Sequence, residues 1–307
     1  MKPDRKPSRR FGRNGRLAAA AVAVAVVAAT LALAASSPLG ALNVLVPGDT
    51  HRRTADVAYG PLARQKLDVY APVAAAPVAG WPVVVFFYGG SWNTGDRADY
   101  KFVGEALAAR GILALVADYR LYPEVRYPSF LEDAAQALGW GLGEAKRLGG
   151  DPRRVFVMGH SAGGYNAAML ALDRRWHAGA GRSPGDLAGW IGLAGPYEFL
   201  PLRPDSPARP VFFHPDYPPG TQPLAHAGAG APPALLAAPV NDRVVSPQRS
   251  TLALAQRLRA AGVPVTLRMY ERVNHALLAG AFAWPLRGLA PVLDDVVAFV
   301  ETAPPRR

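Results

Sequence analysis

The sequence predicts an α/β protein whose mostly parallel central sheet is covered by helices on both faces. Short apolar runs typical of buried strands alternate along the chain with stretches of helical periodicity. Strands that alternate with helices pair in parallel, because each helix carries the chain back to the same end of the sheet. The chain has 307 residues, half of them apolar, and shows no break in composition within residues 50–302. We therefore expect a single large domain.

The predicted strands are short and are bounded by Gly, Pro or polar residues. Residues 64–72 alternate with a period of two, and residues 81–90 form a continuous apolar run that ends in two glycines. A continuous run of this length indicates a strand buried on both faces. Further strands are predicted at 112–120, 153–161, 187–196, 232–242 and 263–273.

The predicted helices lie between these strands. Residues 97–110 stop at a glycine, and residues 127–150 have Pro near the start and Gly at the end, which is the usual asymmetry of a helix. Further helices are predicted at 162–172, 247–261 and 285–302.

Residues 200–233 interrupt this alternation. They contain ten prolines, which lack a backbone donor and break both helices and strands. We expect an irregular excursion over the sheet rather than a packed element, placed where it helps to shape a substrate pocket.

The chain begins with a segment that has the character of an export signal or a membrane anchor. Residues 1–35 combine a basic head with the uncharged apolar run 17–35, and Ala32-Leu33-Ala34 offers a cleavage site. The positive-inside rule then places the rest of the chain outside the cytoplasm, either periplasmic or extracellular, or anchored to the membrane through residues 17–35 if they are not cleaved. The remaining divisions are a linker at 36–54, the domain at 55–302 and a tail at 303–307.

Composition argues against several other classes of protein. The net charge is +11, but seven basic residues against one Asp in residues 1–16 supply +6 of it, and no nucleic-acid-binding motif accompanies the rest. The absence of cysteine excludes disulfides, thiolate metal sites and a cysteine nucleophile. We expect no nucleic-acid partner, no metal and no cofactor.

The sequence "VMGHSAGG" places Ser161 where a predicted buried strand turns into a helix. Gly159 and Gly163 leave room for a sharp turn that would raise the serine hydroxyl above the sheet. This context favours a nucleophile over a helix-capping serine.

A serine hydroxyl needs a base, and in this arrangement an acid and then a histidine follow along the chain. Of the six histidines, only His275 follows a late strand and has a loop that would return it to Ser161. Asp242 ends the strand 232–242, where an acid that orients the imidazole is expected. His160 adjoins the serine and is predicted to be a packing residue.

An oxyanion hole is predicted from "FFYGGSW" at 86–92, where a buried strand ends in two glycines. Backbone N–H groups there can approach a substrate oxygen closely, and the N–H of Ala162 lies free at a helix N-terminus.

With these motifs the chain resembles the α/β-hydrolases of the carboxylesterase and lipase class, near the hormone-sensitive-lipase-like and feruloyl/acetyl-xylan-esterase-like branches. The resemblance covers about residues 55–302 and rests on "YGGSW", "DYRLYP", "GHSAGG", "NDRVV" and "NHA". It implies backbone donors at Gly90 and Ser91 beside Ala162. Tyr88 stands where those branches usually have histidine, and Asn241 precedes the acid in place of a small residue.

The function expected from the sequence is hydrolysis of a small carboxylic ester, with a short acyl chain, through an acyl-enzyme. Trp92, Tyr165 and Tyr197 are the candidate pocket residues. Three alternatives stay open. Kynurenine formamidases resemble the chain at the same motifs, peptidases and thioesterases share the machinery, and a non-catalytic tethered binding domain is the alternative from another class of function.

Overall fold

The computed structural model describes residues 38–178 and 183–306. Within these residues eight strands form one sheet in the order β1-β2-β4-β3-β5-β6-β7-β8. The strands are β1 (His51–Ala58), β2 (Lys66–Pro72), β3 (Trp81–Phe87), β4 (Leu113–Ala117), β5 (Gly150–His160), β6 (Gly189–Leu193), β7 (Ala234–Pro239) and β8 (Val265–Tyr270). The sheet is parallel from β4 to β8, and β2 pairs antiparallel with both β1 and β4.

Helices connect most of the parallel strands. The α-helices of the described residues are α1 (Pro38–Val44), α2 (Lys101–Ala108), α3 (Ser129–Glu144), α4 (Ala162–Leu172), α5 (Arg175–Ala178), α6 (Pro223–His226), α7 (Ala253–Ala260), α8 (His275–Gly280) and α9 (Val292–Thr302). No helix in the described part of the chain is long and apolar enough to cross a membrane. The predicted signal or anchor at 1–35 lies outside the described residues.

The burial of the strands confirms the predicted fold class. Every residue of β3, β4, β6 and β7 is buried. Successive side chains of a strand point to opposite faces, so these four strands are covered on both faces.

The helix boundaries differ from the prediction where turns of another type begin or end a helix. Residues 97–100 and 284–289 are 3-10 turns, and residues 248–252 form a π-helical turn ahead of α7. Pro291 separates α9 from the turn before it, since proline has no N–H to continue the ladder. The helix predicted at 127–150 ends at Glu144, and Gly150 already belongs to β5.

The predicted linker at 36–54 is wrong as far as the structure describes it, because α1 and the first half of β1 lie there. Asn43 fastens α1 to the body of the domain. Its side chain donates to Ala98 O at 2.7 Å and accepts from Phe102 N at 3.2 Å. Strand β1 pairs with β2 from His51 onward. Its sequence, HRRTADVA, is mostly polar and exposed and therefore shows no apolar pattern.

The excursion at 200–233 is irregular apart from α6, yet it is packed rather than laid over the surface. Val211 and Phe212 are fully buried, and Tyr127 N donates to Val211 O at 3.1 Å. The predicted tail is also held, because Arg306 N donates to Arg153 O at 2.9 Å. The excursion and the tail thus both differ from the prediction because each contacts residues far away in the chain.

Asp68, in β2 next to the edge strand β1, is the buried centre of an ion network. Its fully buried carboxylate accepts from Arg53 at 2.6 Å, from Arg97 Nε at 3.1 Å and from Asp56 N at 3.0 Å. Arg97 also pairs with the buried Asp118. Buried charges remain in a folded protein only when they are paired and hydrogen-bonded in this way.

Replacing Asp68 with Ala should lower the free energy of unfolding by about 3 kcal/mol, because Arg53 and Arg97 lose their shared carboxylate. Urea denaturation followed by circular dichroism measures the change. Asp294→Ala is the matched control, since Asp294 pairs with Arg110 at 2.6 Å in an exposed bridge. That variant should lose about 1 kcal/mol or less. Equal losses in the two variants would contradict the importance of the buried network.

Candidate active site

Ser161 sits in a sharp turn between β5 and α4, with φ 54° and ψ −120°. A non-glycine residue in this region carries backbone strain of about 1–3 kcal/mol. The glycines on either side make the turn sterically feasible. A methyl group on Gly159 would come within 2.0 Å of Gly163 O, and one on Gly163 would come within 2.0 Å of Phe87 O. The turn is anchored to β6, since Ser161 N donates to Leu193 O at 2.9 Å.

The structure brings the three residues of the predicted triad together. Ser161 Oγ lies 2.8 Å from His275 Nε2, and His275 Nδ1 lies 2.7 Å from Asp242 Oδ2. The carboxylate accepts only, so Nδ1 carries the imidazole proton and Nε2 accepts from the serine hydroxyl. This is the proton arrangement that a general base requires.

The topology explains why these residues meet. Ser161 follows β5, Asp242 follows β7, and His275 begins α8 a few residues after β8. The carboxyl ends of parallel strands lie at one edge of a sheet, where ligand sites of this architecture are found.

Asp242 is held as a carboxylate by the groups around it. Its side chain is fully buried, and its Oδ1 accepts from Val244 N at 2.8 Å and Val245 N at 3.1 Å. Burial alone would raise the pKa of Asp242, but the hydrogen bonds from His275 and from these two N–H groups hold that pKa below its ordinary value. The negative charge is therefore kept next to the imidazole.

The loop after β3 lies directly against the serine. Gly90, Ser91 and Trp92 have φ values of 135°, 52° and 59°, which turn the chain sharply. A methyl group on Gly89 would come within 2.9 Å of the Cβ of Ser161.

The backbone donors predicted for the oxyanion hole have no hydrogen-bond partner in the described part of the chain, and two of their residues, Ser91 and Ala162, line a cleft above Ser161. No hydrogen bond among the described residues uses the N–H of Gly90, Ser91 or Ala162. These groups are therefore free to donate to an oxygen bound above Ser161.

Tyr88 supports this loop from below. Its ring is fully buried and stacks between Tyr119, at 4.8 Å between ring centroids, and Tyr100, at 5.7 Å. Its hydroxyl accepts from Arg64 Nη2 at 2.7 Å, and Arg64 also donates to Gly95 O at 2.8 Å. Burial raises the pKa of Tyr88 well above its ordinary value, so the hydroxyl stays neutral.

A cleft of about 290 Å³ opens above the serine and its neighbours. Ser161, Ala162, Ser91 and Trp92 form its floor. Its walls come from the segment after β6, from the excursion and from the segment after Asp242. These wall residues include Glu198, Phe199, Pro201, Leu202, Ser206, Ala208, Arg243, Val244, Ser246 and Arg249. The excursion does shape the cleft, as its position in the sequence suggested.

Of the three predicted pocket aromatics, only Trp92 lines the cleft. Tyr165 and Tyr197 are fully buried behind it, so their prediction as pocket residues is wrong. Tyr165 packs edge-on against Trp92 at 5.1 Å, and Tyr197 N donates to Ser250 Oγ at 3.1 Å. Phe199 was not predicted, because it lies just after the strand region in a segment without a motif.

His160 also contacts the site. It is buried, its Nε2 lies 2.9 Å from the carbonyl oxygen of His275, and the two rings are 5.0 Å apart. The sequence predicted a packing residue here, and no local pattern indicates the contact with residue 275.

As for metals, no group of three or more His, Asp or Glu side chains in the described ranges is arranged to hold an ion.

Two family models match parts of the chain. The BD-FAE model matches residues 67–191, and the model of the prolyl oligopeptidase family matches residues 144–284. Together they span the loop after β3, the serine turn and the segments that hold Asp242 and His275.

A solved esterase has the same fold. The butyrate-bound esterase of Thermogutta terrifontis superposes with a TM-score of 0.64 at 23% identity, over 82% of this chain and 94% of that one. The parallel sheet, the strained serine and the order of Ser161, Asp242 and His275 along the chain agree with this likeness. The chain has the α/β-hydrolase fold.

Curated proteins that are similar to this chain are named as esterases. The probable isoprenylcysteine alpha-carbonyl methylesterase ICMEL1 of Arabidopsis thaliana is 27% identical over 80% of this chain and 55% of its own length. Esterase LipC of Mycobacterium tuberculosis is 31% identical over 68% of this chain and 55% of its own length. The chain thus spans about half the length of these relatives.

Replacing Gly163 with Ala should lower the free energy of unfolding by about 2 kcal/mol or more, because the new methyl group meets Phe87 O. Gly143→Ala is the matched control, since Gly143 lies in α3 with no atom within 4 Å of an added methyl group. That variant should gain about 0.5–1 kcal/mol from helix propensity. Urea denaturation of both variants measures the difference, and a neutral Gly163→Ala would contradict the close approach of α4 to β3.

Proposed function

We propose that this α/β-hydrolase is a carboxylesterase that cleaves small esters through an acyl-enzyme. The observation that carries the proposal is the continuous hydrogen-bond chain from Ser161 Oγ through His275 to Asp242, with distances of 2.8 and 2.7 Å. A solvent-open cleft lies directly above Ser161.

In acylation, Ser161 Oγ attacks the ester carbonyl carbon while His275 Nε2 takes the hydroxyl proton. The tetrahedral intermediate carries its negative charge on the former carbonyl oxygen. When it collapses, the bond to the alcohol oxygen breaks, and His275 gives its proton to the departing alkoxide. The products of this step are the free alcohol and a Ser161 ester.

In deacylation, water replaces the alcohol. His275 takes a proton from water as its oxygen attacks the Ser161 ester, and then returns that proton to Ser161 Oγ. Asp242 stays ionised throughout and stabilises the imidazolium. The carboxylic acid leaves and the serine hydroxyl is restored.

The tetrahedral oxyanion is stabilised by the N–H groups of Gly90, Ser91 and Ala162 in this proposal. Each such preorganised donor is typically worth about 3 kcal/mol of transition-state stabilisation. The Tyr88 stack and Arg64 hold the loop in place before substrate arrives, so little reorganisation is needed at the moment of reaction.

Cleft size supports an ester with a short acyl chain. A volume of about 290 Å³ lies at the small end of ligand sites. The packed excursion closes one side, and Trp92 fills the floor with an apolar surface. The structural neighbour that binds butyrate is an esterase of the same fold, which agrees with this substrate class.

The test is hydrolysis of p-nitrophenyl esters from C2 to C16 by the wild type, Ser161→Ala and Ser246→Ala. Ser246 is the matched control, because its hydroxyl also lines the cleft but lies outside the hydrogen-bond chain. We expect turnover that falls with acyl length, its loss by about a thousandfold or more in Ser161→Ala, and near-wild-type rates in Ser246→Ala.

Two outcomes would count against this function. Wild-type turnover that survives Ser161→Ala would remove the serine from the mechanism. A folded wild type without turnover on any ester, assayed next on formamide and peptide substrates, would favour an amide hydrolase if these are cleaved and a tethered binding domain if they are not.

We also propose that the chain is exported and that its catalytic domain acts outside the cytoplasm, in contact with a membrane only through residues 17–35. The basic head at 1–16 followed by an uncharged apolar run supports this.

The test of export compares the full chain with a chain starting at residue 36, both expressed in a Gram-negative host. The full chain should fractionate with the periplasm or the membrane, and the shortened chain should stay in the cytosol. Equal cytosolic distribution of the two would overturn the proposal, and the size of the full-length product shows whether the segment is cleaved.

A further inference from the structure

His160 lies between two parts of the site that are distant in sequence. It ends β5 immediately before Ser161, and only 5% of its surface is exposed. On one side its Nε2 lies 2.9 Å from the carbonyl oxygen of His275. On the other side its Nδ1 faces the loop after β3, since a methyl group on Gly89 would come within 3.2 Å of it.

The chemistry of these contacts fixes the protonation of the ring. A carbonyl oxygen only accepts, so His160 Nε2 carries the proton and donates it to His275 O. Nδ1 is then a lone-pair nitrogen, and it is buried without a hydrogen-bond partner among the described residues. A second proton on Nδ1 would leave a buried donor unsatisfied.

The titratable groups that face His160 are His275 and Asp242. Burial lowers the pKa of His160 to about 3, and the neighbouring His275 acts in the same direction. The hydrogen bond to His275 O and the charge of Asp242 raise that pKa but do not offset the burial. His160 is therefore neutral near pH 7, and no second positive charge lies beside His275 when it takes up the serine proton.

The backbone around His275 is held at two points. His275 is the first residue of α8, which is capped by Asn274 through its bond to Leu277 N at 2.9 Å. This cap fixes the residue at which α8 begins. The bond from His160 ties the carbonyl of His275 to the end of β5, and Ser161 is the next residue after that strand.

We propose that His160 is a positioning residue for His275. Its Nε2–H bond to the His275 carbonyl, and the place of its ring beside Gly89 where a side chain would otherwise lie, hold the base, the nucleophile and the oxyanion loop in one fixed arrangement. This inference rests on the proposed esterase function, since it concerns the geometry of the same site. His160 acts through His275 and does not itself touch the reacting atoms.

The test uses three variants of the full chain. His160→Leu removes the donor, and His160→Gln keeps an N–H that reaches about as far as Nε2. His177→Leu is the matched control, because His177 is also buried and also donates Nε2–H to a backbone carbonyl, that of Leu170, outside the site. It reports what the loss of a buried histidine does to the fold alone.

Each variant is measured for kcat and KM on a short p-nitrophenyl ester, for the pH profile of kcat/KM and for the melting temperature. Proton NMR of the downfield Nδ1 proton of His275, held by Asp242, gives a readout that needs no substrate.

We expect His160→Leu to lower kcat by about ten- to a hundredfold, because a displacement of about 1 Å at a reacting group has costs of this size. KM should change by about twofold or less, since His160 does not line the cleft. The pH profile should shift, and the downfield resonance should broaden as the His275–Asp242 bond opens to water. His160→Gln should recover most of kcat and the resonance. His177→Leu should melt at a lower temperature with unchanged kcat and pH profile.

Three results would overturn the positioning role: wild-type kcat and pH profile in His160→Leu, equal losses in His160→Leu and His160→Gln, or the same kinetic change in His177→Leu. Failure of the esterase function looks different, because the wild type itself then shows no turnover. In that case the downfield Nδ1 resonance of His275 still tests the positioning role without any substrate. A signal in His160→Leu identical to that of the wild type excludes the role.

Discussion

The close approach of α4 to the ends of β3 and β5 is the constraint on which the site depends. It requires residues without a side chain at positions 159 and 163, where an added methyl group would meet backbone oxygens at 2.0 Å. It also forces Ser161 into a left-handed conformation that L-residues avoid. In return, the hydroxyl stands above the sheet at the N-terminus of a helix, close to the loop after β3 and to His275. The strain is local, and the surrounding parallel sheet supplies the stability that maintains it.

Buried polar groups hold the rest of the site to this turn. Asp242, His160 and Tyr88 are each buried, and each is hydrogen-bonded to a group on another element of the fold. A buried polar group without its partner is costly, so these bonds restrict the loops to a single arrangement. Arg64 links the Tyr88 hydroxyl to two further groups: it also donates to Gly95 O and lies 3.6 Å from the carboxylate of Asp118. The geometry needed for proton transfer is thus built before any substrate is bound.

The cleft depends on a segment that is irregular in sequence but not loose in space. Phe212 of the excursion packs edge-on against Trp92 at 4.9 Å and against Phe199 at 5.1 Å. This aromatic cluster, completed by Phe130 and Tyr165, fixes the cleft floor from behind. Close packing of this kind leaves few rotamers open, so the shape of the cleft is set by the core rather than by surface flexibility.

Sequence alone determined the fold class, most of the strands along the chain, and the choice of Ser161, Asp242 and His275 as residues that would meet, because these follow from local rules. Continuous apolar runs mark doubly covered strands, glycines at fixed spacing permit the serine turn, and functional residues follow the carboxyl ends of parallel strands. The polar edge strand β1, the burial of Tyr165 and Tyr197, the packing of the excursion and the contact of His160 with His275 O appear only in the tertiary structure. Strand β1 pairs with the next strand but has no apolar pattern that would mark it. The other features depend on partners tens of residues or more away in the chain, and neither periodicity nor a local motif records which distant surfaces will meet.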